Sequence, residues 1–239
     1  MSAKDHIVRI VYVISALAGV CLISFAQKPV VNNAEESKIL SFSGFKYADI
    51  GAATKAGRAT INKKEIEIIA GGSDIWSTHD EFYFGYKKLK GDFDMSVQIL
   101  RLSAANQYTK AGIMARTDLS DSSQHVFFQV FPDNSPRNKN NGGCEFQYRS
   151  LKAGEMKAIY PDPITAGNQF NVAFPNTWIR LKRQGDVFKS YFSNDCKTWV
   201  LYSSFTLEMP RELLVGLAVT AHTSTGYTSA RFASVRLKK

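Results

Sequence analysis

Beyond residue 40, apolar and polar side chains alternate with a period of two, and this rhythm restricts the fold more than any other feature. Successive side chains of a strand point to opposite faces, so such alternation marks sheets with one buried face and one wet face. Residues 65–70 (EIEIIA), 81–86 (EFYFGY), 94–100 (DMSVQIL), 111–116 (AGIMAR), 125–130 (HVFFQV) and 144–149 (CEFQYR) all carry it. It resumes at 178–183 (WIRLKR), 187–192 (VFKSYF), 199–202 (WVLY), 213–220 (LLVGLAVT) and 230–237 (ARFASVRL). Between these runs, 87–92 (KKLKGD), 184–186 (QGD) and 193–198 (SNDCKT) read as turns, and 131–143 (FPDNSPRNKNNGG) as a surface loop. Residues 150–171, with Pro161, Pro163 and Gly167, read as an irregular connection with at most short strands. Ten or more short strands without a long amphipathic helix between them exclude a doubly wound α/β fold. The expectation is all-β: a two-sheet antiparallel jelly-roll sandwich.

The N-terminus carries a processing signal. Lys4 and Arg9 precede an apolar run over 10–23, and Ser24-Phe25-Ala26 supplies small residues for cleavage before Gln27. The run is short of the roughly 20 residues a membrane span needs. Val20 stands where a lipidated Cys21 would be preceded by a small residue, which argues against a lipid anchor. The expected organisation is a signal peptide over 1–26, a polar lead-in over 27–40 and one sandwich domain over 41–239. Localisation is then secreted or periplasmic, with no integral membrane segment in the mature chain. Export permits a disulfide between Cys144 and Cys196, the two cysteines that remain, and their spacing leaves pairing open.

Four motifs occur in order along this frame: 72–76 (GSDIW), 110–116 (KAGIMAR), 193–199 (SNDCKTW) and 214–222 (LVGLAVTAH). Together they resemble the bacterial family of extracellular concanavalin A-like jelly-roll domains known as DUF1349, over about residues 45–238. The resemblance implies the two-sheet fold and an accessory, carbohydrate-associated role, and it carries over no catalytic residues. Two departures touch loops. Asp195-Cys196 stands where the family turn reads Asp-Gly, and the loop 131–143 is longer than usual.

The chemistry-bearing residues point to binding before catalysis. The chain has no HExxH, CxxC or P-loop pattern. His79, His125 and His222 are scattered, so a metal site would need them to converge, and the ligand set stays unknown. Calcium suits loop acids of lectin-like folds, but the separated Asp residues form no EF-hand pattern. Glu65/Glu67 and Asp92/Asp94 are same-face acidic pairs without the third acid and aromatic strand of a jelly-roll glucanase, which leaves glycoside hydrolysis as the enzymatic alternative. Asp74, His79, Asp80 and Glu81 cluster around Trp76, as a strand-end polar site or a turn satisfying its own backbone. Exposed aromatics offer flat apolar area to a sugar, and Trp76, Tyr83 and Tyr148 are candidates beside Asp74 and His79. Arg116, Arg149, Arg180 and Lys182 read as a polar stripe on one sheet face or as the ordinary wet face of a sandwich, while Trp178 and Trp199, which open strands, read as core. The net charge of +9 favours anionic surfaces, yet no nucleic-acid module is present. The expected partner is therefore a glycan or polysaccharide, with a protein-interaction or structural module holding no small ligand as the alternative.

Overall fold

The computed structural model describes residues 42, 44–135, 142–161 and 169–239. The expected signal peptide and lead-in lie outside the described residues, as do 136–141 of the long loop and 162–168. Sixteen strands, β1 to β16 in chain order, are present among the described residues. Sheet one runs β1 (Lys46–Ile50), β6 (Phe82–Lys90), β15 (Glu212–Thr220), β8 (Lys110–Arg116), β9 (His125–Val130), β10 (Cys144–Arg149), β11 (Met156–Ile159). Sheet two runs β14 (Val200–Thr206), β13 (Val187–Ser193), β12 (Thr177–Gln184), β7 (Phe93–Leu102), β16 (Thr228–Lys238), β3 (Glu65–Ala70), β2 (Arg58–Asn62). Each neighbouring pair is antiparallel, and the crossovers between the sheets make an open jelly-roll sandwich.

The alternation decides what fills the sandwich. Ile113, Phe128, Phe146, Val215 and Leu217 point inward from sheet one, against Ile68, Val97, Ile99, Leu181, Phe188 and Phe232 of sheet two. Each such side chain contributes about 1.5–3 kcal/mol by leaving water, which is why the register is so strongly specified. The sequence reading placed a turn over 87–92, whereas β6 continues to Lys90. Leu89 is buried between exposed Lys88 and Lys90, so the period of two runs through the lysines and only Gly91 and Asp92 turn.

The structure decides three further expectations. Cys144 and Cys196 are both free. Cys144 faces the core, its thiol toward Phe170 O at 3.5 Å, whereas the Cys196 thiol receives Arg236 Nη1 at 3.0 Å on the outer face of sheet two. The basic stripe does not exist, because Arg116 and Arg149 belong to sheet one while Arg180 and Lys182 belong to β12 of sheet two. Trp178 and Trp199 are buried as expected, in a small core cluster of their own with Tyr191. Cys196 has φ of +61°, the left-handed conformation that the glycine of the family turn would adopt without strain.

A third pair of strands, β4 (Ile75–Trp76) and β5 (His79–Asp80), forms a hairpin of its own. It lies over the outer face of sheet one. Ile75 is fully buried against Phe82, Phe84, Met114, Phe127, Leu214 and Ala218, which face away from the main core. Asp80 anchors the hairpin. Arg149 grips its carboxylate with both terminal nitrogens, at 2.7 and 2.8 Å, and Arg116 Nη2 lies 3.7 Å away, with all three side chains sealed from solvent. Arg149 also donates to the carbonyls of Ser77 (3.0 Å) and Gly154 (2.9 Å), and Arg116 to those of Asp118 (2.8 Å) and Ser120. Burial brings the Arg116 guanidinium down to about 10, although Asp80 opposes the fall.

Replacing Asp80 with Asn leaves two buried guanidiniums without their counter-charge. A loss of about 3–5 kcal/mol is expected in urea unfolding. His125 sits in the same cluster, its Nδ1 3.0 Å from Ser123 O and 3.6 Å from Asp80. Burial, partly opposed by Asp80 and reinforced by the two arginines, depresses it from 6.5 to about 4. The unfolded chain therefore binds more protons between these values, and stability falls as pH drops through that window. The loss is on the order of 3 kcal/mol, and His125→Gln should flatten the acid limb of a denaturation series.

Candidate functional site

The outer face of sheet one is ordered in rows across the strands. Leu214, Arg116, His125 and Arg149 stand side by side at one end, and Gly216, Met114, Phe127 and Gln147 come next. Then follow Ala218, Gly112, Gln129 and Glu145, with Thr220 and Lys110 beyond. The first row is occupied by Asp80, and Ile75 covers the apolar middle. The polar residues at the far end stay open to a cleft of about 260 Å³, lined by Asp74, Trp76, Tyr108, Lys110, Phe131, Glu145, Gln147, Tyr160 and His222.

Local sequence brings these groups together. Gly72 has φ of +98°, and a Cβ there would lie 2.1 Å from Glu81 O, so only glycine lets the chain turn tightly into the hairpin. The carbonyl of Gly72 then accepts from Thr220 Oγ1 and Thr223 N, both at 3.1 Å, which seats the strand end beside 220–223. Asp74 is thereby brought against His222 and Lys110. Its Oδ1 accepts from Ile75 N at 2.7 Å, lies 3.0 Å from His222 Nδ1, and takes the Lys110 ammonium. Burial would raise the Asp74 carboxyl, but the His222 and Lys110 contacts outweigh it and hold the group below the usual range. Tyr108 packs its ring 5.3 Å from that of His222, and the Lys110 ammonium lies 5.9 Å from the centre of Trp76.

The floor is a carboxylate between two amides. Glu145 and Gln147 share a face because they are two apart on β10, and Gln129 is the cross-strand neighbour of Glu145. Glu145 Oε1 accepts from Gln129 Nε2 at 3.1 Å and from Gln147 Nε2, and Oε2 accepts from Tyr160 OH at 2.8 Å. Burial pushes the Glu145 carboxyl up, and Tyr160, Lys110 and Gln147 only partly offset it. With both amide nitrogens committed to Glu145, the carbonyl oxygens of Gln129 and Gln147 are buried without a partner among the described residues.

Of the residues singled out from sequence, Asp74 and Trp76 meet in this cleft. His79 is exposed on β5 outside it. Tyr83 faces the core and stacks on Tyr47 at 6.3 Å, and Tyr148 packs on Phe205 at 4.1 Å. Arg116 and Arg149 are spent on Asp80. Arg180 is paired to Asp94 between the rings of Tyr191 and Trp199, on the other sheet. Lys110, Glu145, Gln147 and Tyr160 went unrecognised. Period two puts Glu145 and Gln147 on a non-core face, but it does not say that a hairpin walls that face. Glu81, expected near Trp76, accepts from Ser73 N and Oγ and so supports its own turn.

Among the described residues no group of three or more His, Cys, Asp or Glu could hold a metal ion. Two loop acids serve their own turns: Asp195 accepts from Lys197 N and Thr198 N, and Asp118 from Ser120. A larger hollow of about 460 Å³, lined by Lys90, Asp92, Arg183, Asp186, Arg211 and others, lies at the opposite strand ends. It has no aromatic side chain, and Arg183 is occupied by the carbonyls of Gly185, Met209 and Pro210. Among the described residues no helix is long and apolar enough to cross a membrane.

No protein-family model and no curated protein matches the chain. Solved structures do share its fold. A functionally unknown protein from Saccharomyces cerevisiae is similar over 83% of this chain and 98% of its own, at 16% identity and a TM-score of 0.60. The carbohydrate binding module CBM66 from Bacillus subtilis is similar over 81% and 95%, at 16% identity and a TM-score of 0.50. The GH43 protein BlXynB from Bacillus licheniformis matches 72% of this chain at 12% identity and a TM-score of 0.52, and the chain spans only 32% of that protein. These likenesses show a shared fold, the two-sheet jelly-roll sandwich.

Ile75 is the apolar pin that sets the hairpin, and with it Asp74 and Trp76, on the sheet. Ile75→Ala should cost about 2–5 kcal/mol. Amide hydrogen exchange should rise over 74–80 well before it rises in β8 and β9.

Proposed function

We propose that this chain is an exported, non-enzymatic β-sandwich module that holds a carbohydrate in the cleft of sheet one. The observation that carries the reading is the make-up of that cleft. Trp76, Tyr108 and Tyr160 offer ring faces for the apolar side of a sugar, next to Asp74, Lys110, Glu145 and Gln147 as hydrogen-bonding groups. Its volume suits a single sugar unit rather than a long run of chain.

Holding is favoured over cleavage by how the carboxylates are engaged. A glycosidase needs one carboxyl free to give a proton and another free to attack or to activate water. Glu145 already accepts three hydrogen bonds, and Asp74 Oδ1 is shared by a backbone amide, Lys110 and His222. Such saturation suits orientation of a ligand better than proton transfer. The order of the four motifs supports a place in the DUF1349 family, and the basic, apolar and small-residue sequence of 1–26 supports export.

The test is a glycan and polysaccharide array probed with the exported chain, with calcium and with a chelator. Binding to a subset of glycans is expected, unchanged by chelator and weakened about tenfold or more by Trp76→Ala. Silence across the array would shift the reading to a protein-interaction module. Release of new reducing ends from a bound glycan would make it a hydrolase.

A further inference from the structure

Part of the net charge of +9 is gathered at one edge of the sandwich, at the strand ends opposite the cleft. The hollow of about 460 Å³ there is lined by Lys90, by Arg211 and by Lys239 just past β16. It runs into a second hollow of about 210 Å³ on sheet two, with Asp92, Arg183 and Lys239 common to both. Leu181 and Phe188 point into the core, so their successors Lys182 and Lys189 point out. These two lysines stand directly opposite each other across the β12–β13 pair. Like charges so placed destabilise a sheet. The acid on the other side of Lys182, Asp94 of β7, gives both its oxygens to Arg180. The remaining acids nearby are engaged too: Asp92 accepts from Gly185 N at 2.9 Å, Asp186 lies 3.8 Å from Arg183, and Glu212 pairs with Lys88 at 2.9 Å. Lys90, Lys182, Lys189 and Arg211 form no ion pair among the described residues.

We infer that this basic edge is a second binding surface, for a linear acidic polysaccharide whose carboxylates or sulfates meet Lys90, Lys182, Lys189 and Arg211. The choice of a glycan among polyanions rests on the carbohydrate reading, whereas the surface itself does not. Separate ammonium groups, each a strongly hydrated point charge, suit anionic groups spaced along a chain better than one compact ion. Adjacent strands lie about 4.8 Å apart, so Lys189 and Lys182 present charge at a short step. The hollows carry the track on round the strand ends to Lys90 and Arg211. The cations thus occupy two surfaces that meet at an edge, which a flexible chain can follow and a flat bilayer cannot. None of the exposed large apolar side chains among the described residues lies on this edge, so it has none to insert into lipid.

Calorimetric titration of the exported chain at low ionic strength tests this with three hexasaccharides. Two are acidic, a galacturonate hexamer and a heparin hexamer, and the third is the fully methyl-esterified galacturonate, which keeps the chain but not the charge. At least one acidic hexamer should bind about tenfold or more tighter than the ester. Salt should erase that preference as the Debye length falls from about 30 Å at 0.01 M to about 3 Å at 1 M. Lys182→Gln/Lys189→Gln and Lys90→Gln/Arg211→Gln should each weaken the acidic hexamer severalfold. The same charge removed by Lys157→Gln/Lys197→Gln, from β11 and from the turn at the other end of β13, should not. Both edge variants should keep the array binding that Trp76→Ala weakens. Equal affinity for acidic and esterified chains, or an equal loss from the control pair, overturns the inference while binding in the cleft stands. Vesicles of phosphatidylglycerol or duplex DNA bound as tightly as the acidic hexamers also overturn it, because the edge would then read charge alone. Silence toward every neutral glycan, with acidic hexamers still held through these lysines, removes the cleft reading and leaves this one.

Discussion

The ion pair between Asp80 and Arg149 is what makes the outer face of sheet one a site rather than a bare sheet. The hairpin that bears Asp80 is two residues on each side, far too short to be stable alone. It persists because its last residue is gripped by an arginine of β10, and that arginine reaches on to Ser77 and Gly154. A buried pair of this kind need not add net stability, since desolvating two charges costs about what their attraction returns. Its value lies in geometry. An Asp80 displaced by one residue would leave both Arg116 and Arg149 uncompensated, so only one hairpin register is tolerable.

The two ends of the same sheet face show opposite solutions to buried polarity. At the Asp80 end the charged groups are paired, with guanidiniums shared among a carboxylate and several carbonyls, and His125 Nε2 is left without a partner among the described residues. At the Glu145 end the hydrogen bonds converge on one carboxylate and strand the amide oxygens behind it. Buried polar networks in folded proteins are nearly always satisfied. The two ends differ in access: Gln147 borders the cleft, whereas the Asp80 cluster is sealed from solvent. Ile75 is the divider, packing on Met114 and Phe127 between the two clusters.

How much of this was legible in the sequence follows from the range of each signal. Alternation is local, so it gave the strands, the two-sheet class and the outward positions of Glu145, Gln147 and Arg116. It failed at 87–92, where three lysines looked like a turn although Leu89 kept the period. The four motifs were legible as an ordered set, and three of them converge: 72–76, 110–116 and 214–222 meet around the hairpin and the cleft. Their meeting depends on the β15–β8 pairing and on the Gly72 turn, contacts spanning more than a hundred residues that spacing does not encode. Arg116 and Arg149 were misplaced for the same reason. A strand arginine on a non-core face reads as solvated until a separate hairpin brings Asp80 down onto it.

Net charge also needs reading at the right range. Thirty basic residues against 21 acidic ones suggest an anionic partner, and that holds for the distant approach of a ligand. At physiological ionic strength, however, the Debye length is about 8 Å, so exposed lysines on the far strands are largely screened at the cleft. What a bound group experiences is set by the few buried atoms around it, where the dielectric is low and screening weak. There Lys110 is bound to Asp74, and Glu145 accepts from Gln129, Gln147 and Tyr160. A basic surface and a cleft whose charged groups are engaged with one another are thus compatible, because they act at different distances.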